Sequence, residues 1–311
     1  MNILITGGSG LLGRRLTRHL LASGHQVTIL SRKPAAVTGL PAAVTIAGWD
    51  GRTAAGWQPH ADAADVIINL AGASIKGDGF LPSRWTPKRK ALILSSRVQA
   101  GQAVMDALRA ALRAAPKKPR TLLQASAVGY YGPRGPEPIT EETGPGADFL
   151  AGVCQQWEAS TQDAEALGVR RIVLRTGLPL TMQGGAMPLL VLPFRLFAGG
   201  WFGDGRQYYP WIHIEDYIAA LTFLLEDGKA RGVFNISAPQ PLPNRQFAAT
   251  LGRVLRRPSW LPTPRFAMQL ALGEVSTVVL DGQNAVPAAL QAAGFEFKYP
   301  DLEPALRDLL K

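Results

Sequence analysis

The stretch that decides the fold is ILITGGSGLLG, residues 3–13. Its apolar start predicts a short strand, and the leucines that follow begin a helical pattern. Gly7, Gly10 and Gly13 give a G-x-x-G-x-x-G spacing, and Gly8 also satisfies G-x-G-x-x-G with the last two. Glycine permits a tight turn and a close approach of backbone to a pyrophosphate, which the free N–H groups of the helix start can bind. Strand, glycine turn and helix together predict a dinucleotide-binding Rossmann unit.

The first half of the chain continues this alternation of strands and helices. The sequence predicts strands at 2–6, 26–30, 44–47, 65–70, 120–125 and 170–175, and helices at 11–23, 88–115 and 149–167, with Pro116 ending the second helix. Such alternation is typical of α/β proteins with a doubly wound parallel sheet. Further strands are predicted at 211–214 and 233–236, on either side of a helix at 215–225.

After Thr176 the chain becomes rich in glycine, proline and aromatic residues. We therefore predict a Rossmann domain at 1–176, to which 213–239 return. Segments 177–212 and 240–311 form a smaller mixed α/β substrate lobe over the carboxyl edge of the sheet, where open α/β sheets bind ligands. This lobe is expected to cover the nicotinamide end of the cofactor.

The residues after the second predicted strand favour NADP(H) over NAD. NAD-binding folds place an acidic residue about 20 positions past the glycines, where it binds the ribose 2′-hydroxyl. This chain has Ser31, Arg32 and Lys33 there. Arg32 can pair with a 2′-phosphate through charge-assisted hydrogen bonds, and Ser31 can add a hydroxyl contact. The alternative for Arg32 is an ordinary surface arginine, and the alternative for the glycine motif is a turn that binds no ligand.

Composition is ordinary for a soluble globular protein, with 47% hydrophobic and 18% charged residues in 311. Cys154 is the single cysteine, so no disulfide can form within the chain, and a reducing cytoplasm is the expected compartment. No apolar run reaches the roughly 18 residues of a membrane span, and a strand begins almost at Met1, so neither a membrane segment nor a targeting peptide is expected.

The formal charge of +10 raises the question of nucleic-acid binding. The basic clusters at 88–90, 117–118 and 256–257 are short and scattered, which favours a solvated surface, while part of the excess suits an anionic ligand. The four histidines show no metal-ligand spacing. A small-molecule substrate without nucleic acid, membrane or metal is therefore expected, and the oligomeric state stays open.

Motifs along nearly the whole chain resemble one family. They are TGGSGLLG (6–13), NLAG (69–72), SSR (95–97), SAVGYYG (126–132), FLA (149–151), WE (157–158), RTG (175–177), GDGRQ (203–207), WIHIED (211–216) and ALQAAGFEFKYPDL (289–302). They are similar to the extended and atypical short-chain dehydrogenase/reductases, specifically the sugar-nucleotide-epimerase-like family that ends in a domain of unknown function. The resemblance implies NADP(H) contacts at the turn 7–13, which includes Leu11 and Leu12, and at Ser31, Arg32, Leu70, Ala71 and Arg97. Gly72 belongs with Leu70 and Ala71, because small residues after a strand let backbone approach the adenosine half.

The usual catalytic residues of that superfamily are only partly present. Its enzymes use Ser, Tyr and Lys, with the last two in a Y-x-x-x-K helix where the ammonium stabilises the phenolate. Ser126 stands at the end of the fifth predicted strand, where the serine belongs. The tyrosine and lysine positions fall on Leu150 and Cys154, so the proton-transfer pair is absent.

Other residues are candidates for the proton transfer. Tyr130 and Tyr131 follow Ser126 closely, although aromatic packing in a loop is the simpler interpretation. Cys154 lies on the right helix but fits an ordinary buried thiol. His213 can exchange a proton near neutral pH, and it also fits a helix start with Asp216 in the first turn.

Arg206 and Gln207, in a glycine-rich loop, are candidates for binding a substrate phosphate or carboxylate, or simply form a surface loop. Two functions remain open. The first is an NADP(H)-dependent epimerase, dehydratase or reductase acting on a small polar substrate, a class that includes nucleotide-linked molecules. The second is a non-catalytic NADP(H)-binding regulator, since relatives of the family it resembles are linked to cell or plastid division.

Overall fold

The structure is a computed structural model that describes residues 1–77, 79, 81–114 and 121–311. Its strands are β1 Asn2–Thr6, β2 Gln26–Ser31, β3 Thr45–Gly48, β4 Val66–Asn69, β5 Thr121–Ala127, β6 Arg170–Thr176, β7 Leu178–Leu180, β8 Tyr208–Tyr209, β9 Trp211–His213, β10 Gly232–Ile236 and β11 Leu242–Pro243. Its helices are α1 Leu11–Ala22, α2 Gln58–Ala63, α3 Pro87–Ala114, α4 Phe149–Ala159, α5 Met187–Arg195, α6 Ile214–Glu226, α7 Asn244–Leu255, α8 Arg265–Leu272, α9 Thr277–Leu280, α10 Ala288–Ala292 and α11 Leu302–Leu309.

Seven strands form one parallel sheet in the order β10-β6-β5-β4-β1-β2-β3. The chain runs outward from β1 to β3 and then returns to place β4 on the other side of β1. Ligands bind in the crevice at the carboxyl ends of the strands where such a reversal occurs. The predicted doubly wound Rossmann fold is thereby confirmed, and the crevice between β1 and β4 is the expected place for a site.

Packing on both faces explains why the sheet strands are so apolar. One core gathers Ile3, Ile5, Ile29 and Ile68 under α1 and α6, and a second core packs Leu4, Ile67 and Leu122 against α2 and α3. Strands covered on both faces read as continuous apolar runs, as in DVIINL at residues 65–70.

The predicted helix at 149–167 is wrong in its second half, because α4 ends at Ala159 and a 3₁₀ turn follows at Gln162–Ala164. Ser160 and Thr161 hydroxyls donate to carbonyls of the last helical turn, and Arg171 donates to the Glu158 carbonyl and the Thr161 hydroxyl. These side chains replace the next backbone hydrogen bonds and stop the helix. Of the other predicted elements, residues 115–116 and 120 and the basic pair 117–118 lie outside the described residues.

Residues after β6 form two small sheets, β7 with β9 and β8 with β11, and helices α5 and α7 to α11. Strand β10 adds to the edge of the main sheet beside β6. The Asp216 carboxylate accepts the backbone N–H groups of Lys298 and Tyr299 at 2.8 and 2.9 Å. The WIHIED and FKYPD stretches are therefore two halves of one contact, which fixes the C-terminal segment to α6. Among the described helices, none is long and apolar enough to cross a membrane.

Candidate functional site

A groove of about 830 Å³ opens at the carboxyl edge of β1, β2 and β4. Seven residues that the sequence predicted as cofactor contacts line it together: Gly7, Gly10, Ser31, Arg32, Leu70, Ala71 and Gly72. The lining also includes residues that were not predicted as cofactor contacts, from the loop after β3 and from one face of α3: Trp49, Asp50, Gly51, Arg52, Leu92, Ser95, Ser96 and Gln99. The groove is thus built from the parts of the sheet edge that the crevice rule indicates.

The glycines of the turn have different roles. Gly7 has φ of 72°, and a Cβ there would lie 2.8 Å from the Leu70 carbonyl carbon, so β1 and β4 could not approach as they do. A Cβ on Gly13 would lie 2.4 Å from the Gly7 oxygen. A Cβ on Gly10 meets only that oxygen, at 3.2 Å, and Gly10 has φ of −77°. Packing explains the first two glycines, whereas at Gly10 the fold leaves room that a ligand can use.

Helix α1 begins at this groove with its amino end uncapped. Gly10 is the N-cap, no side chain caps the helix, and its first turn carries no acidic residue. The free N–H groups and the helix dipole therefore favour an anion here. Leu11 and Leu12, with Gly13, do not line the groove: Leu11 is exposed, and Leu12 packs against the core.

The far end of the groove, beside β2, is strongly basic. Arg32, Lys33 and Arg52 all line it with exposed side chains, and Arg32 Cδ would lie 3.3 Å from a Cβ on Gly51. Asp50 also lines it, but its carboxylate accepts the N–H groups of Thr53 and Arg52, which lower its pKa. The carboxylate thus holds its own loop and stays ionised, and three cations against one anion leave this end of the groove net positive.

The loop after β3 reaches the groove because β3 pairs with β2 and Ser31 lies opposite Gly48. Predicting that pairing would have placed residues 49–52 beside Arg32. Ser31 is buried, and its hydroxyl accepts the Lys33 N–H at 3.2 Å.

Arg97 supports the loop after β4 rather than lining the groove. Its Nη1 donates to the carbonyls of Ala73 and Ile93 at 3.1 and 2.9 Å, and a Cβ on Gly72 would lie 3.1 Å from its Cζ. Burial lowers the pKa of Arg97 to about 10, and in the described part of the chain no carboxylate pairs with it. An anion bound nearby would offset the cost of burying this charge.

Ser126 lies at the end of β5, as predicted, and is buried. Its hydroxyl donates to Glu158 Oε1 at 2.6 Å, and Arg175 pairs with both carboxylate oxygens of Glu158, each at 2.9 Å. The sequence analysis missed this contact between β5, α4 and β6, because the sequence gives no hint that WE and RTG face each other. Since its hydrogen is committed to Glu158, the Ser126 oxygen can only accept a further hydrogen bond.

Tyr130 and Tyr131 differ in the hydrogen bonding of their hydroxyl groups. The Tyr131 hydroxyl donates to Asn235 at 2.7 Å and accepts from Arg175 at 3.1 Å, and burial raises its pKa. Tyr130 is only half-buried, with the Arg175 guanidinium 3.4 Å from its ring centroid. Within the described residues its hydroxyl makes no hydrogen bond. The structure therefore ties Tyr131 into the fold and leaves the Tyr130 hydroxyl unengaged, while neither tyrosine nor Ser126 lines the groove.

The positions of the missing tyrosine and lysine are apolar or inert. Burial raises the pKa of Cys154 to about 11, so the thiol stays protonated at neutral pH. Leu150 lines a cavity of about 70 Å³ together with Gly129. C-terminal residues that the sequence analysis did not single out also line this cavity: Glu274, Thr277, Asp281 and Gln283.

The residues predicted to bind substrate lie elsewhere. Arg206 is exposed, and its N–H donates to Asp204 within the same loop. The Gln207 amide donates to the carbonyls of Phe202 and Val279 at 3.1 and 3.0 Å, so it holds the loop against α9. Neither residue lines the groove or the small cavity.

His213 is the N-cap of α6, and its Nδ1 accepts the Glu215 N–H at 3.1 Å. Its ring packs on Tyr299 at 4.0 Å, and Nε2 lies 3.5 Å from an Asp308 carboxylate oxygen. Burial lowers its pKa, outweighing the raising effects of Glu215, Asp216 and Asp308. The structure therefore supports the helix-start interpretation of His213 and does not bring it to either cavity. No group of three or more potential metal ligands occurs among the described residues.

We expect the free energy of unfolding to fall as the pH drops from about 7.5 to about 5.5, with His213 as one cause. The pKa of His213 is below its ordinary value of 6.5 in the folded protein, so the unfolded chain takes up the proton first. The contribution of neutral His213 to the free energy of unfolding is present above pH 6.5 and is lost as the pH falls below that value. Denaturant unfolding across this range measures it, with His213→Asn as the matched variant, because asparagine keeps an N-cap acceptor and does not titrate. An unchanged pH dependence in His213→Asn would contradict the assignment.

Comparisons with known proteins agree with this geometry. The NAD dependent epimerase/dehydratase family matches residues 3–237, and a domain of unknown function (DUF1731) matches residues 263–309. The epimerase family protein YfhF of Bacillus subtilis is 42% identical over 313 residues, which cover 100% of this chain and 98% of that protein. The crystal structure of human epimerase family protein SDR39U1 (isoform 2) with NADPH has a TM-score of 0.84 at 32% identity and covers 99% of both chains. UDP-glucose 4-epimerase of Thermus thermophilus, in complex with NAD, shares the fold at 19% identity, with a TM-score of 0.76 over 99% of this chain and 97% of that one.

Proposed function

Because this chain belongs to the NAD dependent epimerase/dehydratase family, whose fold binds NAD(P), we propose that it binds NADP(H) in the groove and acts as an oxidoreductase or epimerase. The substrate is a small polar molecule, and a nucleotide-linked sugar fits the family. The nicotinamide of the bound cofactor would exchange a hydride with that substrate. The C-terminal segments supply the second wall of the substrate site.

The cofactor assignment rests mainly on two positively charged regions that lie along one groove. The uncapped start of α1 at Gly10 suits a pyrophosphate, and Arg32, Lys33 and Arg52 suit a 2′-phosphate. The human relative solved with NADPH supports the same choice. The Asp50 carboxylate is engaged by the N–H groups of its own loop, and the three basic side chains outnumber it at the 2′-position.

Two hydroxyl groups near the end of β5 suit the chemistry. Ser126 can accept a hydrogen bond from a substrate hydroxyl while Glu158 and Arg175 fix its direction. Tyr130 has the unengaged hydroxyl and is our candidate for the group that takes or gives the proton. Glu158 and Arg175 are positioning residues in this scheme.

One observation favours the second function, a non-catalytic NADP(H)-binding protein. Leu150 cannot transfer a proton, and the buried Cys154 thiol cannot replace a lysine ammonium. In that case the groove would report cofactor occupancy or redox state to a partner. Cofactor binding is common to both functions, so only turnover separates them.

Turnover is tested by following nicotinamide absorbance with a panel of sugars, nucleotide sugars and small carbonyl compounds. For a substrate that reacts, we expect Tyr130→Phe to lower kcat by about a hundredfold, since general acid–base groups contribute at least this much. The thermal stability of the variant should stay near that of the parent, because the Tyr130 hydroxyl makes no hydrogen bond within the described residues.

Tyr131→Phe is the matched control. It removes hydrogen bonds to Asn235 and Arg175, so it should cost about 1–2 kcal/mol of stability and lower kcat far less than Tyr130→Phe does. Tight NADPH binding without turnover of any substrate would support the non-catalytic function. Full activity in Tyr130→Phe would remove this residue from the mechanism.

A further inference from the structure

A continuous apolar surface lies where the end of α5 meets the segment after α7. We call it the apolar patch; its members and their exposed fractions are Leu192 (40%), Leu196 (68%), Phe197 (57%), Trp260 (61%) and Leu261 (44%). The opposite face of α5 already packs into the protein through Met187, Val191 and Phe194. Helix α5 is therefore apolar on both faces, and one of them lacks a partner within the described chain.

Backbone contacts hold the two halves of the apolar patch together. The N–H groups of Trp260 and Leu261 both donate to the Gly199 carbonyl, at 3.0 and 3.1 Å. The Trp260 indole N–H donates to the Phe197 carbonyl at 3.2 Å. A Cβ on Gly200 would lie 2.0 Å from the Leu261 oxygen, so a side chain there would separate the segments. The exposed rings are therefore presented by a built surface.

The turns that end α5 and α7 lie at the same place. Phe197 and Arg256, with φ of 60° and 53°, are the two non-glycine residues with positive φ in the described part of the chain. Each follows the last turn of its helix, where left-handed backbone is common, and the Ala198 N–H donates to the Pro193 carbonyl and the Arg257 N–H to the Gly252 carbonyl, both at 2.9 Å. More than half of the Phe197 surface is exposed. The turn that ends α5 therefore presents the Phe197 ring to solvent.

The border of the apolar patch is basic. Arg195 and Arg256 are exposed, and the Arg257 guanidinium lies 4.4 Å from the Phe197 ring centroid. None of these three arginines makes an ion pair with any described residue. Residues 228–273 contain no aspartate or glutamate. Positive charge therefore surrounds the exposed rings, with no acid in that segment to neutralise it.

We propose that the apolar patch binds the surface of an anionic lipid bilayer, with Phe197, Trp260 and the leucines in the interface and the arginines on the headgroups. Aromatic and leucine side chains beside basic residues are typical of proteins that lie on a membrane without crossing it. A second copy of this chain, seated patch to patch, would bring like charges together. A nucleic acid would not provide an apolar surface to bury the exposed leucines. The proposal departs from the sequence-based expectation of no membrane contact, which rested on the absence of a spanning segment.

Sedimentation with lipid vesicles tests this proposal on the full chain. We expect binding to vesicles of phosphatidylcholine mixed with phosphatidylglycerol, little binding to phosphatidylcholine alone, and weaker binding at high salt. The double variant Phe197→Gly/Trp260→Ser should bind the mixed vesicles at least about tenfold more weakly, because each large side chain contributes its burial. Glycine suits the positive φ at position 197, and thermal unfolding near that of the parent shows that the variant is folded.

Leu167→Ser is the matched control, since it removes an exposed leucine away from the apolar patch and should leave vesicle binding unchanged. Arg195→Gln/Arg256→Gln should weaken binding to the mixed vesicles and flatten its salt dependence. Several results would overturn the proposal: no vesicle binding by the parent, equal binding to both lipid compositions, or unchanged binding by Phe197→Gly/Trp260→Ser. A dimer in the parent that the double variant dissociates would assign the patch to self-association instead.

Discussion

Gly10→Val is expected to weaken NADPH binding by about a thousandfold while the protein stays folded. The backbone of Gly10 has φ of −77°, which valine adopts, and its Cβ would contact only the Gly7 oxygen, at 3.2 Å. The valine methyl groups would instead occupy the space in front of the α1 amino end. A pyrophosphate would then lose its bonds to the free N–H groups, each of which contributes about 1.5–3 kcal/mol when the acceptor is charged.

Calorimetric titration with NADPH measures the loss, and thermal unfolding shows whether the fold survives. Gly152→Val is the matched control, because Gly152 lies in α4, has nothing within 4 Å of its Cβ position and is outside the groove. Gly7→Val should behave differently from Gly10→Val, since positive φ and the Leu70 backbone make it a folding defect. If Gly10→Val kept the parent affinity, the pyrophosphate would not lie at this turn.

Much of the fold could be predicted from local signals. The apolar run of β1, the turn from Gly7 to Gly13 and the periodicity of α1 lie within 22 residues, so short-range patterns suffice to recognise them. The parallel sheet followed from the alternation of such units. The end of α4 could not be found this way, because Arg171 on the next strand helps to stop it.

In the candidate site, too, contacts between distant parts of the chain could not be predicted from local sequence patterns. Arg32 was predicted because it follows β2 directly, whereas Arg52 joins the groove only through the pairing of β3 with β2. Glu158 reaches Ser126 across 32 positions of the chain. His213 and Gln207 carry suitable chemistry in suitable motifs, but backbone groups engage both side chains. For His213 the partner is the nearby Glu215 N–H, whereas Gln207 also reaches the Val279 carbonyl, 72 positions away. Residue type indicated the chemistry, and tertiary contacts decided which residues are free to perform it.

Arg32→Asp is expected to shift the ratio of NADPH to NADH affinity about a thousandfold toward NADH. Arg32 lies exposed in the groove beside Lys33 and Arg52, where its guanidinium can pair with a 2′-phosphate. The aspartate would remove that pairing, repel the phosphate and supply the acceptor that binds a ribose 2′-hydroxyl in NAD-specific folds. Affinity for NADPH should fall, and affinity for NADH should rise or hold.

Titration of the parent and the variants with both cofactors decides this prediction. Arg52→Gln should weaken NADPH by about tenfold and leave NADH unchanged, because it loses one charge-assisted contact to the same phosphate. Arg113→Asp makes the same charge change near the far end of α3, about 20 Å along the helix from the groove residue Gln99, and should alter neither affinity. Equal affinities for NADPH and NADH in the parent would contradict the assignment. An unchanged ratio of NADPH to NADH affinity in Arg32→Asp would also contradict it, because the basic end of the groove would then not bind the 2′-phosphate.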